Sequence, residues 1–113
     1  MDCIFCKIVE GTIPSAKVYE DEKVVAFKDI NPEAPVHIII IPKEHIESVR
    51  EIDENNALIV SHIILTAKKI AKDLGISESG FRIVNNCGKD GGQTVPHLHF
   101  HLLGGRDMQW PPG

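Results

Sequence analysis

The stretch "TVPHLHFHLLGG", Thr94 to Gly105, sets histidines at 97, 99 and 101, with Leu98 and Phe100 between them and no carboxylate among them. On a β-strand the three imidazoles share one face while Leu98, Phe100 and Leu102 share the other. A helix can bury the apolar face and leave the histidines lining a cleft. Simple alternation also puts polar residues on such a face, but it does not select one residue type three times. A zinc ion held by all three is disfavoured, because strand residues four apart are separated by about 13 Å and zinc–nitrogen bonds are about 2.0–2.1 Å. A phosphate group touched from several sides suits the spacing better.

Histidine is also the right nucleophile for phosphorus near neutral pH. Its ordinary pKa of about 6.5 leaves a neutral ring with a free lone pair, and a hydrogen bond to the second nitrogen fixes which nitrogen attacks. Flanking imidazoles can donate to phosphate oxygens and to the leaving group. A carboxylate among them would repel an anionic substrate. The preceding "NNCGKDGGQT" fits the same chemistry. Gly88, Gly91 and Gly92 admit positive φ and can turn backbone N–H groups toward an anion, and Asn86, Gln93 and Thr94 add neutral hydrogen-bonding groups. Glycines also simply make loops; their position just before the histidines gives them weight.

The elements that must position these groups follow from the pattern. "CIFCKIVEG" predicts a short helix ended by Gly11, and "AKVYED" and "KVVAFKD" predict two strands around a turn near Glu20–Lys23. "NPEAP" is a rigid loop before "VHIIIIP", a buried strand stopped by Pro42. From Glu54 to Leu74 the apolar residues Ala57, Val60, Ile64, Ala67, Ala71 and Leu74 recur at a helical period, with Asp53 as N-cap and Gly75 as C-cap. Such a helix is about 30 Å long. "GFRIVNN" and "HLHFHLL" complete about five strands. The expected architecture is α+β: a mostly antiparallel five-stranded sheet with one long helix and a short N-terminal helix.

All 113 residues fit one domain, 1–113, and 42% apolar with 25% charged residues is a globular composition. A net charge of −4 argues against coating nucleic acid or anionic membrane. No apolar run approaches a membrane span, and "MDCIFCKIVEG" lacks the regions of a secretory signal. A cytoplasmic protein is expected. In a reducing compartment Cys3 and Cys6 are thiols or metal ligands rather than a disulfide; as buried small hydrophobes they would need no ligand at all. Cys87 is left over as a free thiol.

The sequence resembles the histidine triad family, whose mark is H-φ-H-φ-H-φ-φ with φ apolar, here His97 to Leu103. The likeness covers almost the whole chain, through "IFCKIVEGTIPS", "AFKDINPEAPVHIIIIPKEHI", "GGQTVPHLHFHLLGGR" and "WPPG". The "DINPEAP" loop and the "WPPG" ending resemble the Hint branch, the nucleoside phosphoramidases. The branch of sugar-1-phosphate nucleotidyltransferases typically has glutamine where His101 stands. The resemblance implies hydrolysis of purine nucleoside 5′-phosphoramidates to nucleoside monophosphate and amine. It implies His99 as nucleophile, forming a nucleotidyl-histidine, with His101 on the phosphate and leaving group. His37 supports the nucleophile and His97 completes the triad. Asn86, Gly92, Gln93 and Thr94 take the phosphate and leaving-group contacts, Thr94 replacing the usual serine. Asp29 is matched to the ribose hydroxyls, although an Asp ending a strand before a turn has a purely structural use too. Ile4, Phe5, Ile8, Phe27, Ile30 and Ile39 form apolar walls around the base, positions that core packing alone would also explain.

The resemblance further implies a two-fold homodimer, with the apolar tail around Trp110 reaching toward the partner's site. No cofactor is needed for the chemistry. A subset of bacterial members holds a structural zinc through two N-terminal cysteines, the histidine of "PKEH" and the first triad histidine, here Cys3, Cys6, His45 and His97. Two other functions stay open at this point. One is a dinucleoside polyphosphate hydrolase. The other is a nucleotide-binding interaction protein with little turnover.

Overall fold

The computed structural model describes residues 3–113. In chain order its elements are α1 (Ile4–Glu10), β1 (Lys17–Glu20), β2 (Val24–Lys28), β3 (Val36–Pro42), a 3-10 turn (Val49–Glu51), α2 (Leu58–Asp73), β4 (Phe81–Asn85) and β5 (Phe100–Gly104). The strands form one sheet in the order β1-β2-β3-β5-β4, with every neighbouring pair antiparallel. This is the α+β arrangement expected from the pattern.

Side-chain alternation sorts the sheet into two packed faces. Val24, Ala26, Ile38, Ile40, Leu98, Phe100 and Leu102 join the core beneath α2, which contributes Ile63, Ala67, Ile70 and Ala71. Val25, Phe27, Ile39 and Ile41 join a second core with Phe5 and Ile8 of α1. Because both faces are covered, β2 and β3 read as continuous apolar runs rather than alternating ones. Each fully buried isoleucine contributes about 1.5–3 kcal/mol relative to exposure.

Three local expectations are corrected. Helix α2 begins at Leu58, with Ala57 as an N-cap that makes no side-chain bond. Asp53 instead closes a preceding turn, its carboxylate accepting from Asn55 N–H at 2.8 Å and its carbonyl from Asn56 N–H. The helix is therefore 16 residues, about 24 Å at 1.5 Å per residue. Its buried face holds Ile63 and Ile70, whereas Ile64 and Leu74 are 39% and 40% exposed. The sequence "LIVSHIIL" is apolar almost all round, so periodicity alone could not choose the stripe that meets the sheet. At the C-terminus the cap is Leu74, and Gly75, expected as the cap, follows it at φ +77°, where its own N–H bonds the Lys72 carbonyl and Ile76 N–H bonds the Ala71 carbonyl.

The β1–β2 turn is tied to α2 by one carboxylate. Asp21 accepts from the N–H groups of Lys23 and Val24, from Tyr19 Oη–H and from His62 Nε2. Burial pushes its pKa up, but these donors outweigh burial and hold it well below the usual carboxylate range.

Candidate active site

The α1 face of the sheet is where the histidines gather. Cross-strand register sets Phe27 opposite Ile39 and Ile39 opposite His101, a row running across β2, β3 and β5. His37 lies one diagonal step from His101 on the same face. Helix α1 roofs part of this face and leaves a cavity of about 490 Å3. All six residues expected as walls line it: Ile4, Phe5, Ile8, Phe27, Ile30 and Ile39. Ser15, Lys28, Asp29, Thr94, His99 and His101 supply its polar lining. Phe5 presents an edge-on ring to His99 at 5.1 Å and to Phe27 at 5.6 Å. Ile30 sits at the rim and is 91% exposed.

Hydrogen bonds fix the ring tautomers. His99 Nδ1 lies 2.7 Å from the His97 carbonyl. A carbonyl only accepts, so Nδ1 carries the proton and Nε2 keeps its lone pair. Glu33 N–H donates to His37 Nδ1 at 3.0 Å, so the neutral His37 ring is protonated at Nε2. That nitrogen lies 2.9 Å from His101 Nδ1 and 3.3 Å from Asp29 Oδ2. His101 Nδ1 accepts, and His101 Nε2–H is left as a donor. Burial first, then the nearby His99 and His37 rings, pull the His101 pKa down to about 4. Burial also lowers that of His99. Asp29, His37 and His101 lie close enough to suggest a cation site. The assigned tautomers argue otherwise, since the His37 nitrogen facing the others carries its proton.

The glycine-rich loop differs from its expected role. Gly88 and Gly92 have positive φ but Gly91 does not; a β-carbon at Gly91 would collide with the Cys87 backbone. Gly88 N–H is held by Gln93 Oε1, Gly92 N–H by the Lys89 carbonyl and Gln93 N–H by the Gly88 carbonyl. These N–H groups close the loop on itself rather than facing an anion. Gln93 Nε2 donates to the carbonyls of Glu47 and Val95, so its amide braces the loop. Gly92 and Gln93 line a neighbouring cavity, and Thr94 lines both. Asn86 is half-buried beyond the end of β4 and is not among the residues lining the first cavity.

Sequence reasoning missed Asn85, whose Nδ2–H donates to the His99 carbonyl at 2.9 Å. Its position opposite Phe100, one residue from His99, was the available signal. Ser15 was also missed. It lines the cavity, and its Oγ is buried with no hydrogen-bond partner among the described residues.

His97 belongs to a different group. It precedes β5, in a bend where its N–H bonds the Val95 carbonyl. Its Nε2–H donates to the Pro42 carbonyl at 2.8 Å, so the Nδ1 lone pair is free. Nδ1 lies 3.4 Å from Cys3 Sγ, 3.6 Å from Cys6 Sγ and 3.1 Å from His45 Nδ1, and Cys6 Sγ is 3.2 Å from His45 Nδ1. Tetrahedral zinc at its usual bond lengths separates two nitrogens by about 3.3 Å and a sulfur from a nitrogen by about 3.6 Å. The four groups therefore fit a Cys2His2 zinc site, with the Pro42 carbonyl holding the outer nitrogen of His97. Without a cation, burial and then the adjacent Cys3 push the Cys6 thiol up to about 11. All three cysteines are free of disulfides.

A model of the HIT domain matches residues 10–108. The chain belongs to the HIT family. It is 51% identical over 112 residues to a 14 kDa zinc-binding protein of Zea mays, covering 97% of this chain and 87% of that one. It is 49% identical to an uncharacterized HIT-like protein of Synechocystis, covering 99% and 97%. A HIT family hydrolase from Legionella pneumophila has a crystal structure that superposes with a TM-score of 0.97 at 48% identity, covering 99% of this chain and 100% of that one. A histidine triad nucleotide-binding protein from Candida albicans gives 0.83 at 37% identity, covering 97% and 83%.

The HIT match begins after Cys3 and Cys6, so the cysteine half of the cluster is contributed by residues outside the matched domain. Within it, the assigned tautomers are directly measurable. In a 15N-edited histidine spectrum at pH 7, His99 is expected as the Nδ1–H tautomer and His101 as Nε2–H. His101 should stay neutral as pH falls through 6.5 and protonate only near pH 4. The unfolded ring takes up its proton nearer pH 6.5, so between those values this residue destabilises the fold increasingly as pH falls. An opposite tautomer at either ring, or a His101 midpoint at 6.5, would overturn the assignment.

Proposed function

We propose that this HIT protein is a nucleotide-binding hydrolase of the Hint type, cleaving purine nucleoside 5′-phosphoramidates. The observation that carries the reading is the His99 tautomer: its Nδ1–H bond to the His97 carbonyl leaves the Nε2 lone pair in a cavity that His101 also lines. His99 Nε2 attacks phosphorus while the P–N bond breaks. The departing nitrogen keeps the bonding pair and takes its proton from solvent water, while the neutral His101 ring donates its Nε2–H to a phosphate oxygen. Water then attacks phosphorus of the nucleotidyl-histidine, its proton passing to solvent, and the monophosphate leaves as His99 Nε2 recovers its lone pair. Asp29 retains acceptor capacity for the ribose hydroxyls, and the isoleucine and phenylalanine walls suit a flat base.

His99→Ala should abolish turnover of an adenylated fluorescent amine yet retain nucleotide binding, because the ribose and base contacts remain. Wild-type protein quenched during turnover should carry a nucleotide mass on the His99 peptide. Turnover by His99→Ala near the wild-type rate would refute the covalent mechanism. Faster cleavage of a diadenosine polyphosphate than of any adenylated amine would favour the dinucleoside polyphosphate reading instead.

The Cys3, Cys6, His45 and His97 cluster supports a structural zinc. Protein purified without chelator should hold about one zinc per chain. Cys6→Ser should release it and lower the melting temperature. Metal analysis finding none after growth in ample zinc would refute the site.

A homodimer is supported by the open β4 edge of the sheet, by Leu65 on α2 at 61% exposed and by Trp110 at 81% exposed. Sedimentation equilibrium should give about twice the 12.5 kDa of one chain. A single-chain mass would refute it.

A further inference from the structure

Beside the histidine cavity lies a second one of about 450 Å3, between the 47–50 segment and the glycine-rich loop. The two meet at Thr94, which lines both. The second cavity has braced walls. Gln93 bonds Glu47 on one side and Gly88 and Val95 on the other. Ser48, buried, accepts from Arg50 N–H and fixes the start of the 3-10 turn that carries Arg50.

The charge lining this second cavity runs against that of the chain. Overall the protein is −4, yet Arg50 and Lys89 line this space against the single carboxylate of Glu47. Among the described residues neither cation forms an ion pair. The Arg50 guanidinium lies over Gly88, its Nη2 2.8 Å from where a β-carbon would stand. A side chain at residue 88 would therefore displace the guanidinium from this place.

We infer that this second cavity is the leaving-group subsite, and that Arg50 and Lys89 make it select a leaving group carrying negative charge, a carboxylate or a phosphate. The inference rests on the phosphoramidase reading. With the nucleoside against the isoleucine and phenylalanine walls and phosphorus at His99, the departing group lies past Thr94. There an anionic substituent meets two unpaired cations and a cationic one is repelled. The reaction itself is unchanged: the P–N bond breaks as His99 Nε2 bonds phosphorus, and the nitrogen keeps the bonding pair and leaves as the amine with a proton from solvent.

The test uses the full chain and four substrates of one nucleoside. Three are adenosine 5′-phosphoramidates of β-alanine, of n-butylamine and of 1,4-diaminobutane, whose leaving groups are anionic, neutral and cationic. The fourth, diadenosine triphosphate, presents a phosphate leaving group. Exposed charge pairs each change affinity only a few-fold, so kcat/KM should favour the β-alanine substrate over the diamine by about tenfold at low salt, less as salt screens the site. In Arg50→Gln/Lys89→Gln that preference should collapse, and Arg50→Lys, which keeps the charge, should retain most of it. Turnover of all amines with no charge preference, or a preference the double variant keeps, would overturn the subsite while leaving the phosphoramidase reading intact. Turnover of diadenosine triphosphate alone, with sensitivity to both substitutions, would keep the anionic subsite, assign it to a phosphate and overturn the phosphoramidase reading. No turnover of any substrate would overturn both. Circular dichroism and zinc content of each variant separate a lost charge from a lost fold.

Discussion

His97 is held at three points, and the geometry on either side of it depends on all three. Its Nε2–H is taken by the Pro42 carbonyl at the end of β3, its Nδ1 faces two thiols and His45, and its own carbonyl receives Nδ1–H of His99. The first contact fixes the ring; the second links the start of α1 to the segment after β3. The third decides which nitrogen of His99 is free. The residue is fully buried, so each polar group on it must find a partner inside the protein. Burial lowers its tendency to protonate, and a neutral ring with one lone pair is the form that suits the two ring contacts.

The roof of the candidate cavity depends on the same link. Cys3 caps α1, its Sγ accepting from Cys6 N–H at 3.3 Å, and α1 carries Phe5 and Ile8 onto the sheet. A seven-residue helix is too short to be stable alone, so it depends on what anchors it. The cysteine and histidine cluster anchors its start, and the Gly11 turn closes its end. Metal binding at the cluster and ligand binding in the cavity would both act on α1. Zinc held by that cluster would steady the wall of the cavity from outside it.

Legibility in the sequence followed the number of faces each element buries. The alternation of His97, Leu98, His99, Phe100, His101 and Leu102 sorted the side chains between faces correctly, because Leu98, Phe100 and Leu102 all enter the core beneath α2. It did not give the strand boundary. β4 ends at Asn85, opposite Phe100, so His97 and His99 lack a ladder partner there and the backbone is free to bend. β3 was legible because a run buried on both faces needs no phase. α2 was legible as a helix, but its "LIVSHIIL" segment has apolar residues on two sides. Choosing Ile63 over Ile64 needs the sheet. The tautomers were the least legible feature. They are set by the Pro42 carbonyl and Glu33 N–H, backbone groups that any residue carries and that no motif records.

The three histidines are therefore chemically unequal despite their even spacing. A period of two supplies three imidazoles on one side of the chain, and the partner of each ring's second nitrogen then divides the work. For His97 that partner is a backbone carbonyl at the end of β3, which turns the lone pair toward the thiols. For His99 it is the carbonyl of His97, which leaves the lone pair in the cavity. For His101 it is His37, itself oriented by Glu33 N–H, and what remains is a hydrogen-bond donor at Nε2. Three imidazoles cannot be told apart by residue type; the hydrogen bond behind each ring makes the distinction. Substituting any one of those backbone partners is impossible by side-chain mutation. The main chain therefore orients the rings of His97 and His99, whereas the His37 side chain orients His101 and is the one partner that a substitution can remove.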